Sequence, residues 1–145
     1  MKKIDLDLEY LIFAYRDEET ENVYYLDTEY GEVRFVNRSL TALRDLTDEI
    51  EIAREKFLYV PKLTKEELVE DLRAFTATLT HEKIKSMLPL AFENPHVYAT
   101  YKAILSPYQE ELTQLEQFLK EKARGRLLVW LKANFIEPAI LDDGK

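Results

Sequence analysis

Residues 23–37, VYYLDTEYGEVRFVN, carry the local signal that decides the fold of this chain. Residues 23–27 are rich in β-formers, and residues 32–37 alternate polar and apolar side chains as a half-buried strand does. The short connection between them ends at Gly31, and a glycine adopts a positive φ at low cost. The stretch therefore predicts a β-hairpin closed by a type I turn with a bulge at Gly31.

The segments around this hairpin predict one further helix and one further strand. Residues 4–16 form an amphipathic helix by pattern, because apolar residues recur at helical spacing: Leu8, Leu11, Ile12 and Tyr15. Residues 57–60, FLYV, predict a third short strand that Pro61 stops. Residues 39–54 are ambiguous, and we expect them to be helical in part.

The chain after residue 62 is helical by pattern almost throughout. Thr64 and Glu67 have the spacing of a capping box. Three further helix starts are predicted, at Thr80, at Asn94-Pro95 and at Ser106-Pro107 with Gln109 completing a second capping box. The last helix should run to about Phe135 with an apolar stripe along it: Leu112, Leu115, Leu119, Ala123, Leu127 and Trp130. Gly125 lies inside that helix, either as a site of close packing or as an uncompensated defect.

These elements together predict an α+β fold, in which a small antiparallel sheet of two or three strands packs with about five helices. The C-terminal helix would supply the core through Leu115, Leu119, Leu127 and Trp130. A length of 145 residues suits a single domain covering residues 1–145. Within it we expect an acidic half with the hairpin, about 1–62, a helical half, about 63–137, and a tail, 138–145.

Composition restricts the class of protein. The formal net charge is −8, with the acidic excess mainly before residue 63, which disfavours a nucleic-acid partner. There is no cysteine, so disulfides and thiolate metal sites are excluded. Acidic residues interrupt the N-terminal segment, which therefore lacks the continuous apolar run of a secretory signal peptide. No apolar run in the chain approaches the roughly 20 residues of a membrane span. These features predict a cytoplasmic protein that does not enter the membrane.

The order of several segments resembles a bacterial group, uncharacterised protein family 0158. The matching pieces are residues 24–27 with 31–33, residues 57–61, residues 91–92 with 98–104, and Trp130-Leu131. The resemblance extends from about Leu6 to Ile136 and implies an α+β fold and a bacterial origin. It implies no activity, because the family has no established function, and it therefore supplies no catalytic residues.

The sequence predicts no catalytic, cofactor-binding or metal-binding residue. The two histidines, His81 and His96, are too far apart in sequence for a local chelating pair. Asp27, Glu29 and Glu32 have some likeness to a calcium-binding loop. The sixth position of such a loop requires glycine, however, and here that position is Glu32. Three scattered glycines make no phosphate-binding loop. The basic residues Lys120, Lys122, Arg124 and Arg126 do not form one helical stripe, and we interpret them as solvated or paired with acids.

Tyrosine is the notable excess, with nine in the chain, and tyrosine is favoured at protein interfaces. We expect most of these rings to fill the core, and we name a protein-contact surface from the rest: Tyr24, Tyr30, Tyr59, Glu18 and Glu19. The leading hypothesis is a non-enzymatic protein-binding or adaptor module, either self-associating or binding another protein. Two alternatives remain open, an enzyme whose carboxylates converge with His81 or His96 in the fold, and a nucleic-acid-associated regulator that uses residues 120–126.

Overall fold

The structure is a computed structural model that describes residues 2–37 and 55–139 of the chain. The ambiguous segment 39–54 lies outside the described residues. The elements in chain order are β1 (Lys2–Ile4), α1 (Leu8–Arg16), β2 (Asn22–Asp27), β3 (Val33–Asn37), β4 (Phe57–Tyr59), α2 (Lys65–Thr78), α3 (Glu82–Met87), a 3-10 helix (Leu88–Glu93), α4 (Val97–Leu105), α5 (Gln109–Ala133) and β5 (Ile136–Pro138). The α+β class is confirmed, with five α-helices among the residues that the structure describes, and none of these helices is long and apolar enough to cross a membrane.

The elements group into two compact units. The sheet unit comprises Met1–Lys62 and Ala123–Lys145, and the helical unit comprises Leu63–Lys122. Helix α5 is continuous, so its first part belongs to the helical unit and its last part to the sheet unit. The single domain that the chain length predicts stays a prediction.

The three-stranded sheet has the order β3-β2-β4 and is antiparallel throughout. The hairpin and the third strand are thereby confirmed. Tyr24 lies opposite Phe35, whereas Tyr25 lies opposite both Arg34 and Tyr59. Because side chains alternate along a strand, Tyr24 and Phe35 lie on one face of the sheet and Tyr25 and Tyr59 lie on the other.

A second, two-stranded sheet pairs β1 with β5 in parallel, and the sequence did not predict it. Ile4, expected in the first helix, is a strand residue that lies opposite Pro138. The helix begins only at Leu8, because the Asp7 carboxylate accepts a hydrogen bond from the Tyr10 amide at 3.1 Å and caps it. Pro138, expected in the tail, is likewise part of β5.

The end of α5 directs the chain into this second sheet. Phe135 has a φ of 61°, in the left-handed region that a bulky residue rarely adopts. Its amide donates to the Lys132 carbonyl at 3.0 Å, which closes the helix end, and its own carbonyl accepts from the Lys2 amide at 2.9 Å. The helix end and the first residues of the chain are therefore joined at Phe135.

The helical unit is built around one apolar cluster, and its first helix starts as predicted. The Glu67 amide donates to the Thr64 hydroxyl at 3.0 Å, and the Thr64 amide donates to the Glu67 carboxylate at 3.1 Å, so the capping box is confirmed. The buried members of the cluster are Leu72, Phe75, Leu79, Ile84, Leu88, Ala91, Val97, Tyr101, Leu105, Leu115 and Leu119.

Three predicted helix starts are wrong in detail. The cap of α3 is His81 rather than Thr80, and its Nδ1 accepts from the Ile84 amide at 3.3 Å. Helix α4 begins at Val97, and the Asn94 side chain accepts from the His96 amide in a turn before the helix. The Ser106 hydroxyl donates back to the Ala103 carbonyl, and α5 begins only at Gln109, so Tyr108 rather than Ser106 occupies the cap position. Short polar side chains serve turns and caps equally well, so sequence alone places such starts only approximately.

The stripe predicted for the last helix is mostly correct. Leu115, Leu119, Ala123 and Leu127 are buried, but Leu131 occupies the buried position at the end, where we had expected Trp130. Trp130 is only partly buried. Gly125 is exposed, and a Cβ built on it would meet nothing within 4 Å. Close packing therefore does not explain this glycine.

Replacing Gly125 by alanine should stabilise the protein. The exposed position is helical and has room for a methyl group, so the change removes the helix penalty of glycine without a clash. We expect Gly125→Ala to raise the free energy of unfolding by about 0.5–1 kcal/mol. Urea unfolding followed by circular dichroism measures this, and a lower unfolding midpoint than that of the parent chain would contradict it.

Candidate protein-contact surface

The turn between β2 and β3 is organised by the carboxylate of Asp27, which is only 1% exposed. One of its oxygens, Oδ1, accepts hydrogen bonds from the amides of Glu29 at 2.8 Å and Tyr30 at 3.1 Å. The Asp27 backbone closes the turn, since its carbonyl accepts from the Gly31 amide and its amide donates to the Glu32 carbonyl, both at 2.8 Å. These bonds fix the backbone on both sides of Tyr30.

Lys56 attaches the same turn to the start of β4. Its ammonium lies 3.7 Å from Asp27 Oδ2, 3.4 Å from Glu29 Oε1 and 5.2 Å from the centre of the Tyr30 ring. Burial lowers the pKa of the Lys56 ammonium, but the hydrogen bond to Glu29 and the two carboxylate charges outweigh it and hold the pKa above its ordinary value. The Lys56 carbonyl also accepts from both the amide and the hydroxyl of Thr28.

Gly31 brings the turn against the link between β1 and α1. Its φ is 79°, in the left-handed region. A Cβ built on Gly31 would lie 2.2 Å from the Asp5 carbonyl oxygen and 2.8 Å from Cγ2 of Ile4. No side chain fits at these distances, so glycine is required both for the conformation and for the close approach.

An open groove of about 490 Å³ runs beside this contact. It is lined by Asp5, Leu6, Asp7, Tyr10, Tyr30, Gly31, Glu32, Val33 and Arg34. The ring of Tyr30 is 65% exposed, although the backbone that carries it is held by the turn. The groove therefore presents a large aromatic side chain to solvent on a fixed support.

The groove carries an excess of negative charge. Asp5, Asp7 and Glu32 supply three carboxylates, against the guanidinium of Arg34. Asp7 also caps α1. Within the described parts of the chain, the carboxylates of Asp5 and Glu32 have no hydrogen-bond or ion-pair partner. A ligand can therefore bind these two acids without breaking a contact to any residue in the described ranges.

Aromatic side chains continue from the groove across α1 and the sheet. The ring of Tyr10 lies 6.0 Å from that of Phe13, which is 59% exposed. Tyr24 contacts Tyr10, Phe13 and Phe35 with ring centres 5.4–6.4 Å apart. We use the name aromatic surface for the three rings around Tyr24 together with Tyr30, which lines the groove with Tyr10: Tyr10, Phe13, Phe35 and Tyr30.

The predicted contact tyrosines have three different positions in the structure. Tyr30 lies on the aromatic surface. Tyr24 is only 2% exposed and belongs to the core, so its expected place on an exposed surface is wrong. Tyr59 is exposed, but it pairs with Tyr25 on the face of the sheet opposite to Tyr24, with ring centres 5.9 Å apart. Only the first of the three tyrosines lies on the groove.

Glu18 and Glu19 are exposed in a loop that the Asp17 side chain holds in place. The Tyr24 hydroxyl donates to Asp17 Oδ2 at 2.6 Å, the Asn22 amide group donates to the same oxygen at 2.9 Å, and the Glu19 amide donates to Oδ1 at 3.0 Å. The buried hydroxyl of Tyr24 is thus satisfied inside the protein, which explains why this tyrosine is unavailable for contact.

The same contacts shift both pKa values. Burial by itself raises the pKa of the Asp17 carboxyl, but the hydrogen bonds that it accepts and the Lys62 charge prevail and hold the pKa below its ordinary value. Burial, reinforced by the bond to the Asp17 carboxylate, raises the pKa of the Tyr24 hydroxyl. The Lys62 ammonium also donates to the carbonyls of Asp17 and Glu19, at 2.8 and 3.2 Å.

The remaining sequence candidates lie elsewhere. His81 caps α3 and contacts the Tyr108 ring at 5.4 Å, while His96 is an exposed residue at the start of α4. The described residues contain no group of three histidines or acids able to hold a metal ion. In the basic segment, Lys120, Arg124 and Arg126 each take part in an interaction within the protein, and Lys122 lies 5.4 Å from the Phe118 ring.

Three residues of the aromatic surface, Tyr10, Phe13 and Phe35, were not predicted. The sequence did contain a signal for the first two. The buried residues of α1 are Leu11, Ile12, Ala14 and Tyr15. Tyr10 and Phe13 are three residues apart, so they lie on one face of the helix, outside this buried stripe. Aromatic residues outside the buried stripe of an amphipathic helix are the observation that would have pointed to a contact surface.

Replacing Gly31 by alanine should destabilise the sheet unit strongly. The new methyl group would overlap the Asp5 carbonyl, and alanine disfavours the backbone conformation found there. We expect Gly31→Ala to lower the free energy of unfolding by about 2 kcal/mol or more. Chemical denaturation measures the change, and a loss below about 0.5 kcal/mol would show that the close approach is absent.

Replacing Asp17 by asparagine should weaken the protein and change how its stability depends on pH. A carboxyl whose pKa is lowered by folding stabilises the protein above its ordinary pKa of 3.8, and this contribution is lost as pH falls through the folded value. Asp17→Asn should therefore cost roughly 1 kcal/mol at pH 7 and lose less stability than the parent between pH 5 and pH 2.

Urea unfolding at several pH values checks this expectation. The matched control is Asp5→Asn, which removes one exposed carboxylate with no partner among the described residues and should leave the pH profile nearly unchanged. Parallel pH profiles for the parent chain and Asp17→Asn would count against the Asp17 assignment.

Comparison with known proteins connects the chain to a family without a known activity. The profile of an uncharacterised protein family, UPF0158, matches residues 1–144. A UPF0158 protein of Chlamydia pneumoniae is 24% identical over 131 residues, which cover 86% of this chain and 39% of that protein. The chain thus spans about two fifths of the length of this curated relative. No solved structure matches the chain. The match over nearly all of its residues shows that the chain belongs to the uncharacterised protein family UPF0158.

Proposed function

We propose that the protein is a non-enzymatic protein-binding or adaptor module, and that the aromatic surface is its contact site. The observation that carries the proposal is the exposure of Tyr30, a large aromatic side chain that lines the open groove of the sheet unit. A second exposed aromatic ring, Phe13, lies 6.0 Å from the ring of Tyr10, which also lines the groove. Aromatic residues of this kind are enriched at protein interfaces and often supply much of the binding energy.

The support beneath Tyr30 favours binding over a purely structural role for its ring. The Asp27 carboxylate and the Lys56 ammonium order the turn backbone in the absence of a partner. A preordered contact residue loses little conformational freedom on binding, so more of its contact energy appears as affinity. A tyrosine has few rotatable bonds, which reduces this loss further.

The two alternatives have less support from the described residues. An enzyme that combines carboxylates with a histidine would need the two types together, but the groove lining contains no histidine. A nucleic-acid regulator that uses residues 120–126 would need those cations free, but three of them take part in interactions within the protein. Neither arrangement offers a specific observation comparable to the exposed tyrosine.

The proposal places the protein in the cytoplasm of a bacterial cell. The curated relative comes from Chlamydia pneumoniae, which supports a bacterial origin. A chain without cysteine fits a reducing compartment. The partner is either another protein of that compartment or a second copy of this chain, and sedimentation velocity of the purified protein distinguishes the two.

Placing a photoreactive phenylalanine analogue at position 30 should capture the partner in the cell that produces the protein. The same analogue at Leu90, an exposed apolar position in the 3-10 helix of the helical unit, is the matched control. We expect one major cross-linked species from position 30 and none of the same mass from position 90. With the captured partner purified, Tyr30→Ala should weaken binding about 10-fold or more, because a central tyrosine contributes on the order of 2 kcal/mol.

Two results together would remove this proposal. One is the absence of a specific cross-linked species from position 30. The other is a strictly monomeric protein in sedimentation velocity at high micromolar concentration. An intact fold in both analogue-bearing chains, checked by circular dichroism, ensures that a negative result concerns binding.

A further inference from the structure

We infer that the partner inserts a basic side chain, an arginine or a lysine of a protein segment, into the groove between Asp5 and Glu32. This inference rests on the proposed function and names the chemistry that the contact surface recognises. It combines the acidic lining of the groove with the aromatic rings that border it.

The charge distribution of the groove favours a cation. Three carboxylates line it against one guanidinium, and the carboxylates of Asp5 and Glu32 have no partner within residues 2–37 and 55–139. An unpaired surface acid gains from a cationic neighbour, and charge complementarity of this type sets the specificity of protein contacts. A segment with acidic side chains would be repelled at the same place.

The aromatic lining distinguishes an organic cation from a metal ion. Tyr10 and Tyr30 border the groove, and an ammonium or guanidinium group is attracted to the face of a tyrosine ring. A metal ion would need several converging oxygen ligands, and the described residues contain no such group of three. The groove of about 490 Å³ also has room for a whole side chain.

The described part of the sheet unit contains the same type of contact twice. The Lys56 ammonium lies 5.2 Å from the centre of the Tyr30 ring and pairs with Glu29. The Lys62 ammonium lies 5.2 Å from the centre of the Tyr24 ring. Tyrosine rings with adjacent carboxylates or carbonyls thus already hold ammonium groups in this unit. A partner's basic side chain would reproduce within the groove a contact that the fold makes internally.

The experiment uses the full chain and two synthetic peptides, acetyl-Gly-Arg-Leu-Arg-Gly-amide and its counterpart with glutamine in place of both arginines. Amide chemical shifts are followed by NMR during titration at 50 mM and 300 mM salt. We expect the arginine peptide to shift the amides of Gly31, Glu32 and Arg34, with weaker binding at the higher salt concentration. The glutamine peptide should give little or no shift at these positions.

Two double variants test the assignment with matched charge changes. Asp5→Asn with Glu32→Gln removes the two groove acids, whereas Glu93→Gln with Glu121→Gln removes two exposed acids of the helical unit. We expect the first pair to weaken arginine-peptide binding about fivefold or more, and the second pair to change it less than twofold. Equal weakening by both pairs would mean a general effect of net charge and would overturn the inference.

Two further outcomes would also overturn it. One is competition by calcium chloride alone, since calcium-induced shifts at Gly31 and Glu32 that exclude the arginine peptide would indicate a metal site. The partner captured from position 30 provides the other test. If Tyr30→Ala weakens its binding but the Asp5 and Glu32 double variant does not, the contact surface stands and the basic-side-chain inference fails.

Discussion

The close approach of Gly31 to the Asp5 carbonyl determines the arrangement of everything around the groove. A hairpin turn ordinarily extends into solvent, but here its fourth connecting residue lies where a Cβ would be 2.2 Å from another backbone segment. The Asp27 carboxylate stabilises the turn from within, because it satisfies amides that would otherwise need water. The turn is therefore held from two sides, and the groove is the space left beside that contact.

Two tyrosines of the hairpin that look alike in the sequence have different roles in this arrangement. Tyr24 and Tyr30 both belong to the hairpin, yet one donates its hydroxyl to Asp17 inside the protein while the other extends its ring into solvent. The pleat of β2 turns Tyr24 toward α1, whereas Tyr30 lies in the turn beyond the strand and follows no such alternation. Whether each tyrosine is buried or exposed depends on its position in the fold, which the residue type alone does not indicate.

The parts of the fold that sequence predicted are those with local causes. A hairpin, a strand stopped by Pro61 and the capping box of Thr64 each depend on residues a few positions apart. The β1–β5 pair depends on residues at the two ends of the chain, which have only three positions each in which to show a pattern. Such short non-local pairs leave no periodic signal, so Ile4 and Pro138 were assigned to a helix and to a tail.

The contact surface was predictable in kind and only partly in place. An excess of tyrosine near acidic residues indicated it, and Tyr30 stays a candidate because its ring is exposed on the groove, but selecting the other members required knowledge of burial. Exposure alone is also insufficient. Phe135 is 73% exposed and in a rare backbone conformation, yet its carbonyl receives the Lys2 amide and so has a structural explanation. Tyr30 differs because its ring borders a groove whose Asp5 and Glu32 carboxylates have no partner among the described residues, and that combination connects an exposed ring to a ligand.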